Sequence, residues 1–268
     1  MSRMQAAILA LAMLAAPPAA TAGASDWVEA EGGRVRLILA TPLPDKPIRA
    51  ALEIELSPGW KTYWRDPGDA GVPPTVAAIP GSPFQIGELR FPAPERMDDG
   101  FSIWAGYSRS VTLPFEVTGG LNGDLTVDAF LGICETICVP LKARLTIDGD
   151  TLREDDPAAT QAVEAAFAAL PGAPGEGQGV ELLEAGEKHL TVKVTPPAES
   201  MDTPELFVAG EGGVMLGTPS ARDAGAGIYD VPIVARPRKG HGPVSLPYVV
   251  VTGASVFSGN LELPAMAP

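Results

Sequence analysis

The chain has 268 residues, 46% of them hydrophobic, with 30 glycines, 28 prolines and a formal net charge of −14. An acidic balance of this size argues against nucleic acid or an anionic membrane surface as a partner. The hydrophobic share excludes wholesale disorder, and abundant Gly and Pro fit many short strands joined by turns.

The first element in chain order is a secretory signal. Arg3 supplies the positive start, Met4 to Ala16 form an uncharged apolar run, and Ala20-Thr21-Ala22 or Ala22-Gly23-Ala24 offers a small-residue cleavage site. The run is too short to span a bilayer as a helix, and no later stretch approaches that length. The mature chain is expected to begin near Gly23 or Ser25, with about 244 residues and a charge of −15, in an exported compartment where disulfides form.

From Val35 to about Asp148 the pattern is strand-like. Arg34 to Ala40 alternates with Val35, Leu37 and Leu39 on one face, and Ala51 to Leu56 does so with Leu52, Ile54 and Leu56. Val111 to Val117, Leu125 to Leu131 and Leu141 to Ile147 are further predicted strands, separated by turn-rich pieces such as Asp66 to Pro74 and Gly119 to Gly123. This spacing points to an antiparallel, immunoglobulin-like sandwich, and the absence of βαβ alternation argues against a thioredoxin fold. Asp156 to Leu170 reads as one helix, capped by Asp156, with Pro157 in its first turn and an apolar stripe of Ala159, Val163, Ala166, Phe167 and Leu170. Pro171 to Gly179 reads as a flexible linker. Strand patterns resume at His189 to Val194, Glu205 to Val208, Gly227 to Val234, Val244 to Thr252 and Ser255 to Leu263. The predicted class is therefore all-β, with two immunoglobulin-like sandwiches joined by a short helix and a Gly/Pro linker. The expected division is a signal peptide at 1–24, a sandwich with the cysteine pair at 25–150, helix and linker at 151–179, and a second sandwich at 180–268.

Chemistry concentrates in FLGICETICVP, Phe130 to Pro140, which holds both cysteines of the chain, Cys134 and Cys138. Three residues separate them, so a bond between them closes a ring worth roughly 2 kcal/mol by chain entropy, against about 4.7 for a loop near 100 residues. Such a ring is a weak staple, better suited to opening and closing. Glu135 inside it disfavours a thiolate and raises thiol pKa. No further His or Met lies in the stretch to complete a zinc site, whereas cuprous ion accepts two soft thiolates. His189, at a strand start, and His241, in a turn, read as ordinary surface histidines. Hydrolase, phosphate-loop and dinucleotide motifs are absent. Trp60, Tyr63 and Trp64 read as packing aromatics beside a turn.

Taken together, several blocks resemble the DsbD N-terminal domain family of periplasmic thiol:disulfide interchange modules. FLGICETICVP resembles its cysteine motif, PGWKTYWRDPGDAGVPP (Pro58 to Pro74) its aromatic and Pro-Gly-Asp segment, and FPAPERM and GYSRSVTLPFEV its Pro-x-Pro and Gly-Tyr…Leu-Pro segments. LFVAGEGG and LPYVVVTGASVFSGNLEL are similar to the second sandwich of longer, suppressor-of-copper-sensitivity-type members. The resemblance implies a periplasmic thiol–disulfide oxidoreductase of protein-disulfide reductase type, without cofactor or metal, in which Cys138 forms the mixed disulfide and Cys134 resolves it. It also implies a cap loop over the pair at Asp98-Asp99-Gly100-Phe101, with Phe101 as cover and Asp98 or Asp99 as proton relay. The spacer between the cysteines is shorter than in the best-known form of the motif. With neither a membrane segment nor a thioredoxin-like domain in this sequence, the expected donor is a separate membrane electron-transfer or thioredoxin-like protein. The expected acceptors are periplasmic thiol clients such as disulfide isomerases or cytochrome-maturation proteins. A binding or assembly module with a structural disulfide, and a copper-handling protein, are the alternatives.

Overall fold

The computed structural model describes residues 23–68, 71–98, 100, 102–120, 122–237, 240, 242–253 and 255–265. Of the expected signal peptide, residues 1–22 lie outside these, as do His241, Asp99 and Phe101. Among the described residues no helix is long and apolar enough to cross a membrane.

The first half folds as eleven strands in two sheets. In chain order they are β1 (Val28–Ala30), β2 (Gly33–Leu39), β3 (Ile48–Leu56), β4 (Lys61–Gly68), β5 (Thr75–Ala78) and β6 (Phe84–Ile86). Then follow β7 (Glu95–Asp98), β8 (Ile103–Tyr107), β9 (Val111–Gly119), β10 (Leu125–Cys134) and β11 (Cys138–Ile147). One sheet runs β1-β2-β3-β9-β6; the other runs β11-β10-β4-β8-β7, with β5 also pairing β10. The alternation predicted for β2 and β3 places Val35, Leu37, Leu39, Leu52 and Ile54 in the core, where they meet Leu125, Val127, Leu131 and Ile133 from the opposing sheet. Every ladder between named strands is antiparallel, as a sandwich of this class requires.

Lys61–Gly68 departs from the sequence reading, which placed a turn-rich segment from Asp66 onward. It is a strand whose pattern is hidden because Thr62, Tyr63 and Trp64 are all buried. A strand covered on both faces loses the alternation by which strands are recognised.

Helix α1 (Pro157–Ala168) buries Ala159, Val163 and Ala166 against Ile38, Ala40 and Ala51 on the outer face of β2 and β3. Asp156 caps it, accepting from the Ala159 N–H at 2.9 Å and from the Gly23 N–H at 3.3 Å. The Ala159 bond above all holds the Asp156 carboxyl below its ordinary pKa. A carboxylate stabilised in the folded state contributes at pH values above the ordinary carboxylate range, and that contribution vanishes as pH falls through the lowered value. Asp156→Ala is thus expected to cost about 1 kcal/mol at neutral pH and much less in acid. Asp156→Asn, an equally good cap without charge, should lose less and flatten the pH dependence. Thermal unfolding of the three proteins across pH checks this.

The second half comprises β12 (Gly179–Ala185), β13 (His189–Thr195), β14 (Glu205–Val208), β15 (Met215–Leu216), β16 (Ser220–Asp223), β17 (Ile228–Ala235), β18 (Val244–Thr252) and β19 (Ser255–Leu263). Its sheets run β12-β13-β17-β15, with β16 also on β17, and β14-β18-β19. Leu190, Val192, Val194 and Val231 face Leu206, Val250, Phe257 and Leu261 across its core. Near its start the connecting segment touches the second half: Gly172 bridges Phe257, and its carbonyl accepts from the Ser258 N–H at 2.8 Å. Phe207, Ala209 and Val249 of the second sandwich are buried in the core cluster of the first.

Candidate active site

Strands β10 and β11 form a hairpin in which Gly132 faces Pro140, Ile133 faces Val139 and Cys134 faces Cys138. Glu135, Thr136 and Ile137 make its tip, so the two cysteines close the ladder at its last rung. They are disulfide-bonded, with their Cα atoms 4.1 Å apart. Pro140 is tolerated because β11 is the edge of its sheet, with β10 as its one ladder partner there.

The two sulfurs are unequal. Cys134 is 5% exposed, whereas Cys138 is exposed along with the hairpin tip, where Ile137 reaches 76%. What buries Cys134 is a wall from the neighbouring strands: Tyr63 of β4, Trp104 of β8 and the half-buried Met97 of β7. Antiparallel pairing of Cys134 with Lys61 and of Ile133 with Thr62 brings β4 alongside. The Tyr63 hydroxyl lies 3.0 Å from the Cys134 sulfur and 2.9 Å from the Cys138 sulfur. Neither sulfur of a disulfide carries a proton, so the hydroxyl donates.

Small residues make room for this ring. A Cβ on Gly132 would stand 3.0 Å from the Tyr63 ring, and one on Gly71, where φ is +112°, would stand 2.2 Å from it. Trp104 packs on the remaining side, ring centres 5.0 Å apart at 58°, and Lys61 places its ammonium 5.7 Å from the Trp104 ring centre. Gly71 is thus seated directly against the Tyr63 ring.

Of the residues singled out from sequence, Cys134 and Cys138 come together. Asp98 ends β7, is exposed, and turns its carboxylate back to accept from the Gly100 N–H at 2.8 Å. It follows Met97 directly, which sets the turn beside the wall. Trp60 and Trp64 pack as expected, Trp60 against the Gly32 turn and Trp64 in the core. Tyr63 does not conform: it touches both sulfurs, and nothing in an aromatic triplet beside a turn distinguishes it from its neighbours. Tyr107 has a structural task, its buried hydroxyl donating to the Pro92 carbonyl at 2.9 Å, and burial pushes its pKa well above the ordinary value. This bond ties together two of the blocks quoted above, FPAPERM and GYSRSVTLPFEV. His189 contacts Arg222 at 3.3 Å in the second sandwich. Among the described residues, no group of three or more His, Cys, Asp or Glu side chains is placed to hold a metal ion.

Residues 35–148 match the family model for the N-terminal region of thiol:disulfide interchange protein DsbD. No curated protein matches the chain. Among solved structures, the N-terminal periplasmic domain of ScsB from Proteus mirabilis superposes with a TM-score of 0.73 at 22% identity, covering 92% of this chain and 100% of that one. That likeness establishes a shared fold. The reduced DsbD N-terminal domain of Neisseria meningitidis aligns at 15% identity with a TM-score of 0.33, over 44% of this chain and 86% of that one.

Proposed function

We propose, from the match of residues 35–148 to the DsbD N-terminal family model, that this chain is a periplasmic electron relay working by thiol–disulfide exchange at Cys134 and Cys138. The observation that carries the reading is the asymmetric pair: an exposed sulfur bonded to a buried one, with a hydroxyl on both. A donor thiolate attacks the Cys138 sulfur, the S–S bond breaks, and Cys134 leaves as a thiolate that takes up a proton. The donor's second thiolate then attacks the donor sulfur in the mixed disulfide and releases Cys138 reduced, so two electrons have passed to the pair. In the return step the Cys138 thiolate attacks a client disulfide, and Cys134 attacks Cys138 to free the client dithiol.

In this reading the donor is a separate membrane electron-transfer or thioredoxin-like protein, and clients are periplasmic disulfide-bearing proteins. Asp98, together with Asp99 and Phe101 of the same stretch of sequence, serves as cap and proton relay. Support for the cap comes from its neighbour Met97, which packs on the wall around Cys134.

Equilibration in glutathione or dithiothreitol buffers with thiol trapping tests the proposal. A cycling pair is expected at roughly −120 to −270 mV, the span of known exchange proteins, whereas a value well below about −300 mV marks a structural bond and ends the relay reading.

A further inference from the structure

Each strand that walls the disulfide also reaches the second sandwich, through the residue next to the one facing the sulfurs. On β4, Tyr63 meets the sulfurs while Trp64 meets Phe207 edge-on, ring centres 6.0 Å apart. Two residues further, the Asp66 carboxylate accepts from the Gly210 N–H at 2.7 Å. On β7, Met97 packs with Tyr63, Trp104 and Cys134, and Arg96 donates to the Leu206 carbonyl at 2.7 Å with its guanidinium carbon 4.6 Å from the Phe207 ring centre. On β8, Trp104 packs on Tyr63, and the preceding Ile103 carbonyl accepts from the Thr218 hydroxyl at 3.4 Å.

Consecutive side chains of a strand point to opposite faces, so residues adjacent in sequence serve two different neighbours. Phe207 is 2% exposed and belongs to the first sandwich's core cluster rather than to a separable surface. Arg96 is half-buried, and burial lowers its pKa against the opposing charge of Glu205. A guanidinium in such a place is tolerated only with partners, and here they are the Leu206 carbonyl and the Phe207 face.

We propose that the second sandwich braces the redox wall, with Arg96 and Phe207 as positioning residues that hold Met97 and Tyr63 over Cys134. What the wall is for rests on the exchange reading; whether it is braced does not. In the full chain carrying Cys138→Ser, Cys134 is the sole thiol and its alkylation by iodoacetamide reports wall opening whether or not the protein exchanges disulfides. Adding Arg96→Met is expected to raise the alkylation rate about 10-fold, equivalent to about 1.4 kcal/mol lost from local closure. The midpoint of its pH profile should rise as the Tyr63 hydroxyl withdraws from the sulfur. Arg96→Lys, which keeps a cation and a donor, should restore the rate to within about 2-fold. Val163→Ala, which loosens α1 on the other sheet, should leave it unchanged. Circular dichroism establishes that each variant is folded, and Phe207→Leu takes the place of Arg96→Met if that variant does not fold. An unchanged rate in the folded brace variant, or an equal rise in Val163→Ala, overturns the proposal. A structural potential in the earlier titration would leave this comparison standing.

Discussion

Cys138→Ser is expected to reduce exchange with a disulfide substrate to the uncatalysed background, while Cys134→Ser should accumulate a stable mixed disulfide. The asymmetry follows from access. Cys138 sits exposed at the last rung of the β10–β11 hairpin, whereas Cys134, at 5% exposure, lies behind Tyr63, Trp104 and Met97. A thiolate must approach the sulfur it attacks, so in the proposed exchange the exposed sulfur is expected to take the incoming partner and the buried one to depart. Without Cys138 the remaining thiol has no open route to a client. Without Cys134 the first step still proceeds, but no internal thiolate remains to break the mixed disulfide. Glutathione disulfide is a sufficient substrate, and mass spectrometry reads the adduct. Both variants should lose only about 2 kcal/mol of stability, the small contribution of so short a ring, so equal denaturant midpoints separate chemistry from folding. An adduct on Cys138→Ser and none on Cys134→Ser would reverse the two roles.

What the sequence revealed of this site follows from where each signal is stored. A cysteine pair at short spacing is written in the chain itself, and so is the alternation of β2 and β3, because Val35, Leu37, Leu52 and Ile54 line the core face while Arg34, Arg36, Glu53 and Glu55 hold the other, buried only where Ile38 and Ala51 meet α1. The wall is written nowhere locally. Tyr63 and Trp64 are consecutive and both buried, one against the sulfurs and one against the core and Phe207. Covering both faces of β4 erased its period, and the two aromatics became indistinguishable from turn-rim packing. The hairpin illustrates a second gap: Leu125–Cys134 runs three residues beyond the strand expected from its apolar run. Gly132 weakens the pattern there, although its bareness is what admits the Tyr63 ring. The helix was legible to its cap because Asp156 and Pro157 act on backbone groups a few residues away. Within the linker, Gly172 is held by Ser258, 86 residues downstream, a contact that no local pattern announces. Short-range physics is readable from composition and spacing; the second sandwich's grip on β4 and β7 is a tertiary fact.

Tyr63→Phe should slow reduction of the disulfide by dithiothreitol about 10-fold, the effect of losing a hydrogen bond that strengthens by about 1.4 kcal/mol as negative charge develops. In the disulfide the hydroxyl donates to neutral sulfurs at 3.0 and 2.9 Å, which stabilises the ground state little. As the S–S bond breaks, charge gathers on the Cys134 sulfur, and the same bond becomes a charge-assisted one of about twice the strength. An interaction that tightens in the transition state lowers the barrier, where one of constant strength would not. Glu135, next in the chain, is exposed at the hairpin tip and supplies no such donor. In the proposed exchange, leaving-group quality is thus expected to depend on a donor from another strand. The substitution keeps the ring between Gly71, Gly132 and Trp104, so stability should change by no more than about 1 kcal/mol, the net value of a single hydrogen bond. Tyr63→Leu, which removes the ring as well, should both unfold more easily and, once the pair is reduced, expose the Cys134 thiol to alkylation. Stopped-flow reduction at several pH values, with a denaturant curve for each protein, separates these effects. A folded Tyr63→Phe that reduces within about 2-fold of the unsubstituted chain would return Tyr63 to the packing role expected from sequence, leaving the exposure difference between the two sulfurs as the sole source of the asymmetry.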